Sequence, residues 1–182
     1  SLLYHGTLVT RTGTSRETLS QIRKQTQLPT FVDINLRPPW WDHPLVWQAF
    51  RGARWVKLND EEINQVNEDE SLVGKAVDYI AFHLRKKFQF DLLIATLGAK
   101  GSFFIDDSGQ HQGNPVSVPN LVDTVGAGDA FSAVTIYGLS KGWQVDVIQK
   151  RALEFAATIC GNQGATTSNH DLYSRYTDKW NS

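Results

Sequence analysis

The chain has 182 residues, 41% of them hydrophobic, and a formal net charge of −1. That length supports one domain or slightly more with a real apolar core, and the near-zero charge excludes a basic nucleic-acid surface and an acidic disordered tail. No apolar run is long enough to span a membrane, no signal peptide opens the chain, and one cysteine, Cys160, allows no internal disulfide, so the cytoplasm is the expected compartment.

Residues 2–4 read as a buried strand already under way, ending at Gly6. Thr14-Ser15-Arg16-Glu17 fits a capping box opening a helix with Leu19 and Ile22 on one face. After Pro29, residues 30–34 form a short apolar strand, followed by the loop Asn35-Leu36-Arg37-Pro38-Pro39-Trp40-Trp41-Asp42. Residues 45–50 read as a short helix and residues 54–58 as the next strand. Asn59-Asp60-Glu61-Glu62 then caps a short helix through Ile63 and Val66. Ser71 starts a longer helix, in which Leu72, Ala76, Ile80 and Leu84 recur at every fourth position. Leu92-Leu93-Ile94-Ala95-Thr96 is a continuous apolar strand with the turn Leu97-Gly98-Ala99-Lys100-Gly101 after it. Residues 103–105 and the stretch up to Val118 form a hairpin about Asp107-Ser108-Gly109. The loop Asp123-Thr124-Val125-Gly126-Ala127-Gly128-Asp129 opens an apolar helix that Gly142 stops. A last helix covers roughly residues 145–160, Gly161 and Gly164 break it, and a polar tail carries Tyr173, Tyr176 and Trp180. Strands alternating with helices predict a parallel α/β sheet covered on both faces, with the hairpin as an antiparallel edge. In such sheets ligands collect at the C-terminal ends of the strands.

Four segments carry chemistry. The first amides of a helix have no partner within it, and Gly126 and Gly128 put no side chain in the way, so this loop suits an anion, most often a phosphate. Asp129 beside such an anion would repel it, which points to a base. The competing reading is a helix N-cap turn with glycines for tight packing. Asn35 can hydrogen-bond a sugar hydroxyl, and Arg37 offers a planar fork for a phosphate or carboxylate. Equally, Asp33 and Asn35 can satisfy turn amides while Arg37 pairs with an acid. Trp40 and Trp41 fit a core or interface better than a sugar platform. In Lys57-Leu58-Asn59-Asp60-Glu61-Glu62 the acids also suit a helix start through the dipole alone. Thr96-Leu97-Gly98-Ala99-Lys100-Gly101 is not a phosphate-cradling Walker loop, so any nucleotide must be held by several separate loops. After the last helix, freed carbonyls suit a monovalent cation, and a glycine C-cap explains the same residues equally well. Cys160 reads as a small buried hydrophobe, and the five histidines share no metal-ligand spacing.

The seven residues 123–129 resemble the second signature of the PfkB (ribokinase-like) carbohydrate kinases. The resemblance implies a ribokinase-like three-layer α/β/α fold with a mostly parallel sheet and an antiparallel edge hairpin. It implies that the amides of Gly126, Ala127 and Gly128 form an anion hole for the transferred phosphoryl group. Asp129 would take the proton from a sugar hydroxyl. The Asp33-Ile34-Asn35-Leu36-Arg37 segment resembles that of fructokinases and ketodeoxygluconate kinases, and implies substrate binding by Asn35 and Arg37 with Asp129. Asn59 and Glu62 match the family's Asn-x-x-Glu segment, which implies contact with the nucleotide phosphates and, through water, with Mg²⁺ at Glu62. Thr96, Gly98 and Gly101 match its nucleotide-pocket turn. In potassium-dependent members the cation is held by positions that match Asp123, Val125, Ile159, Asn162, Gly164 and Ser168.

The implied activity is ATP-dependent phosphorylation of a primary hydroxyl of a small carbohydrate, fructokinase-like, with ATP, Mg²⁺ and, in potassium-dependent members, K⁺. The partners implied are a sugar and ATP, with no nucleic acid and no membrane, and a homodimer is compatible. Two alternatives stay open: a kinase of the same fold for ketodeoxygluconate or a nucleoside, and a non-catalytic ligand-binding relative. The match covers only the C-terminal part of such kinases. Residues 1–182 are therefore expected to be a single α/β domain without the N-terminal part and lid. A fragment would also explain the strand under way at the start and the absence of methionine; selenomethionines dropped from the written sequence would explain only the latter.

Overall fold

The structure, a computed structural model, describes residues 1–118, 120–166 and 169–181, which divide into two units, Ser1–Gly113 and Asn114–Ser182. In the first unit the short apolar runs become strands, because a strand buried on both faces needs near-continuous apolar sequence. These are β1 (Leu3–Gly6), β2 (Thr30–Asp33), β3 (Trp55–Asn59) and β4 (Leu92–Thr96). They pair in chain order and in parallel, with Val32 beside Val56 and Val56 beside Leu93. β5 (Ser102–Asp106) and β6 (Gly109–Gly113) follow antiparallel, so the six-stranded sheet is mixed, mostly parallel with an antiparallel edge hairpin. The hairpin turns at Asp107-Ser108 as expected but ends at Gly113; residues 114–118 form no regular element.

The connecting helices start where a side chain satisfies their free amides. α1 (Gly13–Thr26) is capped by Thr12, whose Oγ1 accepts from the Ser15 amide at 3.3 Å. This corrects the expected Thr14–Glu17 box: Thr12 has the extended backbone a cap requires, while Thr14 is already helical. α2 (His43–Phe50) is capped by Asp42, which accepts from the Leu45 amide at 2.8 Å. α3 (Asp60–Gln65) follows β3 directly. The helix expected from Ser71 is also corrected. Asp69 closes a separate 3-10 turn, Glu70–Leu72, Gly74 turns the chain with φ +75°, and α4 runs Val77–Phe88. Leu72 and Ile80 are both buried, but from different elements. The core of this unit gathers Val32, Val56, Leu58, Ile63, Ile80 and Leu93, with Phe50 against Phe88 and Phe90 at ring-centroid distances of 5.0 and 5.2 Å.

The second unit is helical: α5 (Ala127–Lys141), α6 (Val145–Ile159) and α7 (His170–Asn181). Gly138 lets α6 approach closely, since a Cβ there would stand 2.7 Å from Ile148 Cγ1. The expected polar tail is a helix instead. Its Tyr173, Tyr176 and Trp180 fall at helical spacing and all meet Phe155 of α6, so the aromatic residues order a segment whose mean polarity suggested a tail. Among the described residues no helix is long and apolar enough to cross a membrane.

Candidate functional site

In the first unit, parallel pairing sets the C-terminal ends of β2, β3 and β4 side by side. Asp33 lies opposite Lys57, and Asn59 opposite Thr96. Lys57 Nζ donates to both oxygens of Asp33 at 2.9 Å, and both side chains are buried. The Asp33-to-Arg37 segment is thereby split. Asp33 is the partner of a buried lysine. Beyond it Asn35 takes a left-handed backbone, φ +46°, a conformation asparagine tolerates. Asn35 and Arg37 are exposed on either side of buried Leu36.

Asn59 and Glu62 close the start of α3. Asn59 Oδ1 accepts from the Glu62 amide at 2.8 Å, and Glu62 Oε2 accepts from the Asn59 amide at 2.9 Å. Glu62 Oε1 accepts from the Leu36 amide at 2.8 Å. After β4, Gly98 and Gly101 take φ +56° and +93°, and the Leu97 amide donates to the Gly101 carbonyl at 2.8 Å, which makes a tight turn. Gly98, Ala99 and Lys100 are exposed on it, and Thr96 is half-buried. The expected nucleotide residues Asn59, Thr96, Gly98 and Gly101 thus share one end of one sheet with Asn35 and Arg37.

In the second unit the signature loop is tied to the loop after α6. The Val122 and Asp123 amides donate to the Cys160 carbonyl at 2.9 and 3.2 Å. Asp123 accepts from the Val125 amide at 2.9 Å and the Gly164 amide at 3.1 Å. These amide bonds, Val125 first, hold the Asp123 carboxyl below the usual aspartate range. Burial, with Asp123 beside it, pushes the Cys160 thiol up, which fits an unreactive side chain. Gly126 is the N-cap of α5 with φ +83°, and a Cβ there would stand 2.5 Å from Ala165 Cα. Only glycine meets both demands.

The Ala127 amide donates to the Thr124 carbonyl at 3.2 Å. Among the described residues the Gly128 and Asp129 amides find no backbone acceptor, and the Asp129 carboxylate, exposed in the first turn, has no hydrogen-bond or ion-pair partner. Of the expected cation positions, the structure ties Asp123 to Gly164, while the Ile159 carbonyl already accepts from the Asn162 amide at 2.9 Å. Val125 lies in the same loop, and Ser168 lies outside the described residues. No three His, Cys, Asp or Glu side chains are grouped to hold a metal among the described residues. Two contacts were missed from sequence, the Lys57 partner of Asp33 and the Leu36 amide on Glu62. The only signal for the first was a pair of opposite charges inside two apolar strands.

This arrangement defines an α/β protein with ligand-type loops at its parallel strand ends and an open helix start after a glycine-rich loop. The family profile described as pfkB family carbohydrate kinase matches residues 1–172, and the chain belongs to that family. It is 33% identical over 141 residues to an Escherichia coli fructokinase, covering 74% of this chain and 44% of that protein. A Salmonella enterica aminoimidazole riboside kinase, solved with aminoimidazole riboside and an ATP analog, superposes with a TM-score of 0.78 at 23% identity, over 95% of this chain and 61% of that one. A Vibrio cholerae fructokinase, solved with fructose, ADP and calcium, gives a TM-score of 0.73 at 25% identity, over 95% and 59%. The chain therefore spans less than two thirds of the length of each of these relatives.

Proposed function

We propose that this chain carries the phosphoryl-transfer and nucleotide-binding residues of an ATP-dependent sugar kinase acting on a primary hydroxyl, fructokinase-like in its acceptor. The observation that carries this reading is the uncapped start of α5, where, among the described residues, free amides stand beside an unpartnered carboxylate. A carboxylate with nothing to neutralise it at an anion-binding helix start is suited to take a proton from a hydroxyl. Asp129 would orient and deprotonate the acceptor hydroxyl. The Gly126 and Gly128 amides, with that of Ala127 once a ligand competes for it, would stabilise charge on the transferred group. Asn59, Thr96, Gly98 and Gly101 would line the nucleotide, and Asn35 and Arg37 the acceptor.

Mg²⁺ bound with the nucleotide would neutralise phosphate charge. Glu62 would meet its water shell through the lone pair that each carboxylate oxygen keeps beyond the bond already made. For K⁺, Asp123, held ionised by its amide bonds, would join carbonyls at Val125, Ile159, Asn162, Gly164 and Ser168. Replacing Na⁺ or Li⁺ by K⁺ at constant ionic strength should then raise activity, and a flat response removes K⁺ from the site. A cytoplasmic enzyme fits the lone cysteine, and a homodimer is compatible with this reading.

The test is ADP release by the full-length protein with ATP and Mg²⁺ against fructose, ketodeoxygluconate and nucleosides. Fructose-dependent turnover is expected. Preference for another acceptor would move the assignment within the family. ATP binding without turnover on any acceptor would leave a non-catalytic relative.

A further inference from the structure

We propose that Glu62 is a positioning residue that clamps the segment 35–37 to the start of α3, so that the acceptor loop and the Asn59 end of β3 move as one body. Glu62 is only 8% exposed, and its two oxygens go to different places. One caps Asn59, as any capping box would. The other accepts from the Leu36 amide at 2.8 Å, 26 positions earlier and beyond a different strand. Helix capping alone needs no such bond.

Leu36 is a fitting point to hold. It is 7% exposed and lies between exposed Asn35 and Arg37, so fixing its amide sets the direction of both neighbours. The left-handed turn at Asn35 gives the segment its sharp change of course just before that anchor. At the other end, the buried Asp33–Lys57 pair ties the same segment to β3. The chain from Asp33 to Leu36 is thereby held to β3 by the Asp33–Lys57 pair and by the Ile34 amide on the Lys57 carbonyl, and to the start of α3 by Glu62, with Asn35 left outward between these ties. The two side-chain ties engage ionised groups in a buried setting, where charge-assisted hydrogen bonds are strong. Glutamate suits the task by its chemistry: aspartate is one methylene too short to span both amides, and glutamine offers one acceptor and presents a donor to the second amide.

What the two loops bind rests on the kinase reading above; the clamp itself does not. Its test is amide hydrogen exchange on the full-length protein, resolved at Leu36 and Asn59, with E62Q and E62A. In E62A exchange at both amides should rise by about tenfold or more, the factor that follows when an amide loses a charged acceptor, and in E62Q at least one of the two should rise so, because glutamine keeps a single acceptor, while Val56 in mid-strand stays slow. A Leu36 amide unchanged in E62A, or both amides unchanged in E62Q, overturns the clamp. Should E62A fail to fold, E62Q alone decides, because it keeps the volume and half the hydrogen bonding. In the kinase assay, E62Q should raise KM for the acceptor about tenfold as well as KM for ATP, with E62D between wild type and E62Q. If acceptor KM is unmoved and only the Mg²⁺ dependence shifts, Glu62 serves the nucleotide alone and the coupling is wrong. A wild-type protein that phosphorylates nothing would sink the kinase reading, and the exchange result would still decide the clamp.

Discussion

Two helices in this chain carry candidate site residues at their starts, and they begin in opposite ways. α3 is closed: Asn59 and Glu62 satisfy each other's amides, and the glutamate reaches on to Leu36. α5 is open: its cap is Gly126, which has no side chain to offer, and among the described residues the Gly128 and Asp129 amides meet no acceptor. Both starts are acidic, so composition does not separate them. The difference lies in whether the acid is directed back onto its own helix. At α3 the third residue of the helix, Glu62, folds back and is buried. At α5 Asp129 occupies that same third position, but its side chain is shorter and the preceding cap is a glycine. A helix start that caps itself gives position and stability, while one that does not keeps its dipole and amides for a ligand.

The contrast can be broken from either side. Asp129→Asn in the full-length protein keeps the shape of the open start and removes its proton acceptor. It should lower kcat by about 10²–10⁴-fold, the range for a positioned general base, with nucleotide affinity nearly unchanged. A loss under about tenfold would take Asp129 out of that role.

Gly126→Ala attacks the backbone of the same start. At φ +83° and with Ala165 Cα 2.5 Å from the new Cβ, neither chain can yield cheaply. Left-handed strain and overpacking together should cost roughly 2–5 kcal/mol, read from denaturant unfolding. A change near zero would mean that the loop after α6 does not press on the signature loop.

Asn59→Ala removes the side-chain half of the closed cap and should cost about 1 kcal/mol, less than Gly126→Ala by the same measurement. The reverse order would contradict the view that the open start is the more constrained backbone.

The smallest effect is expected from Asp123→Asn. Its folded carboxyl titrates below the ordinary aspartate value because the Val125 and Gly164 amides favour the charged form. Stability from such a group is present above its unfolded pKa and is lost as pH falls through the folded pKa. Unfolding midpoints followed from about pH 6 down to about pH 2 should therefore fall less steeply in Asp123→Asn than in wild type. Parallel curves would show that those amide bonds do not depend on the charge.

Much of this was legible in the chain. Residues 92–96 had to be a buried strand, because five consecutive residues with four apolar ones leave no polar face. Asp107-Ser108-Gly109 marked the hairpin, Asn59 to Glu62 marked the start of α3, and the small residues before Ala130 with Gly142 at the far end bounded α5. Each of these signals is local, carried within a turn or two of backbone by periodicity, capping chemistry or glycine. The sequence was silent where tertiary contact outweighed local preference. α1 and α4 end at Gln27 and Gln89 in left-handed conformations, φ +51° and +58°, with no glycine to announce them. Residues 73–76 interrupt a fourfold apolar spacing that looked continuous. α7 takes shape on Phe155, which its own composition does not reveal.

The site divides along the same line. That Asp129 follows a glycine-rich loop at a helix start is a property of seven adjacent residues. That Asp33 is held by Lys57, and that Glu62 holds Leu36, depends on which strands are neighbours and in what register, 24 and 26 positions apart. Such pairs form only after the parallel sheet has brought β2 and β3 together, so no window of sequence short enough to show a motif contains both partners.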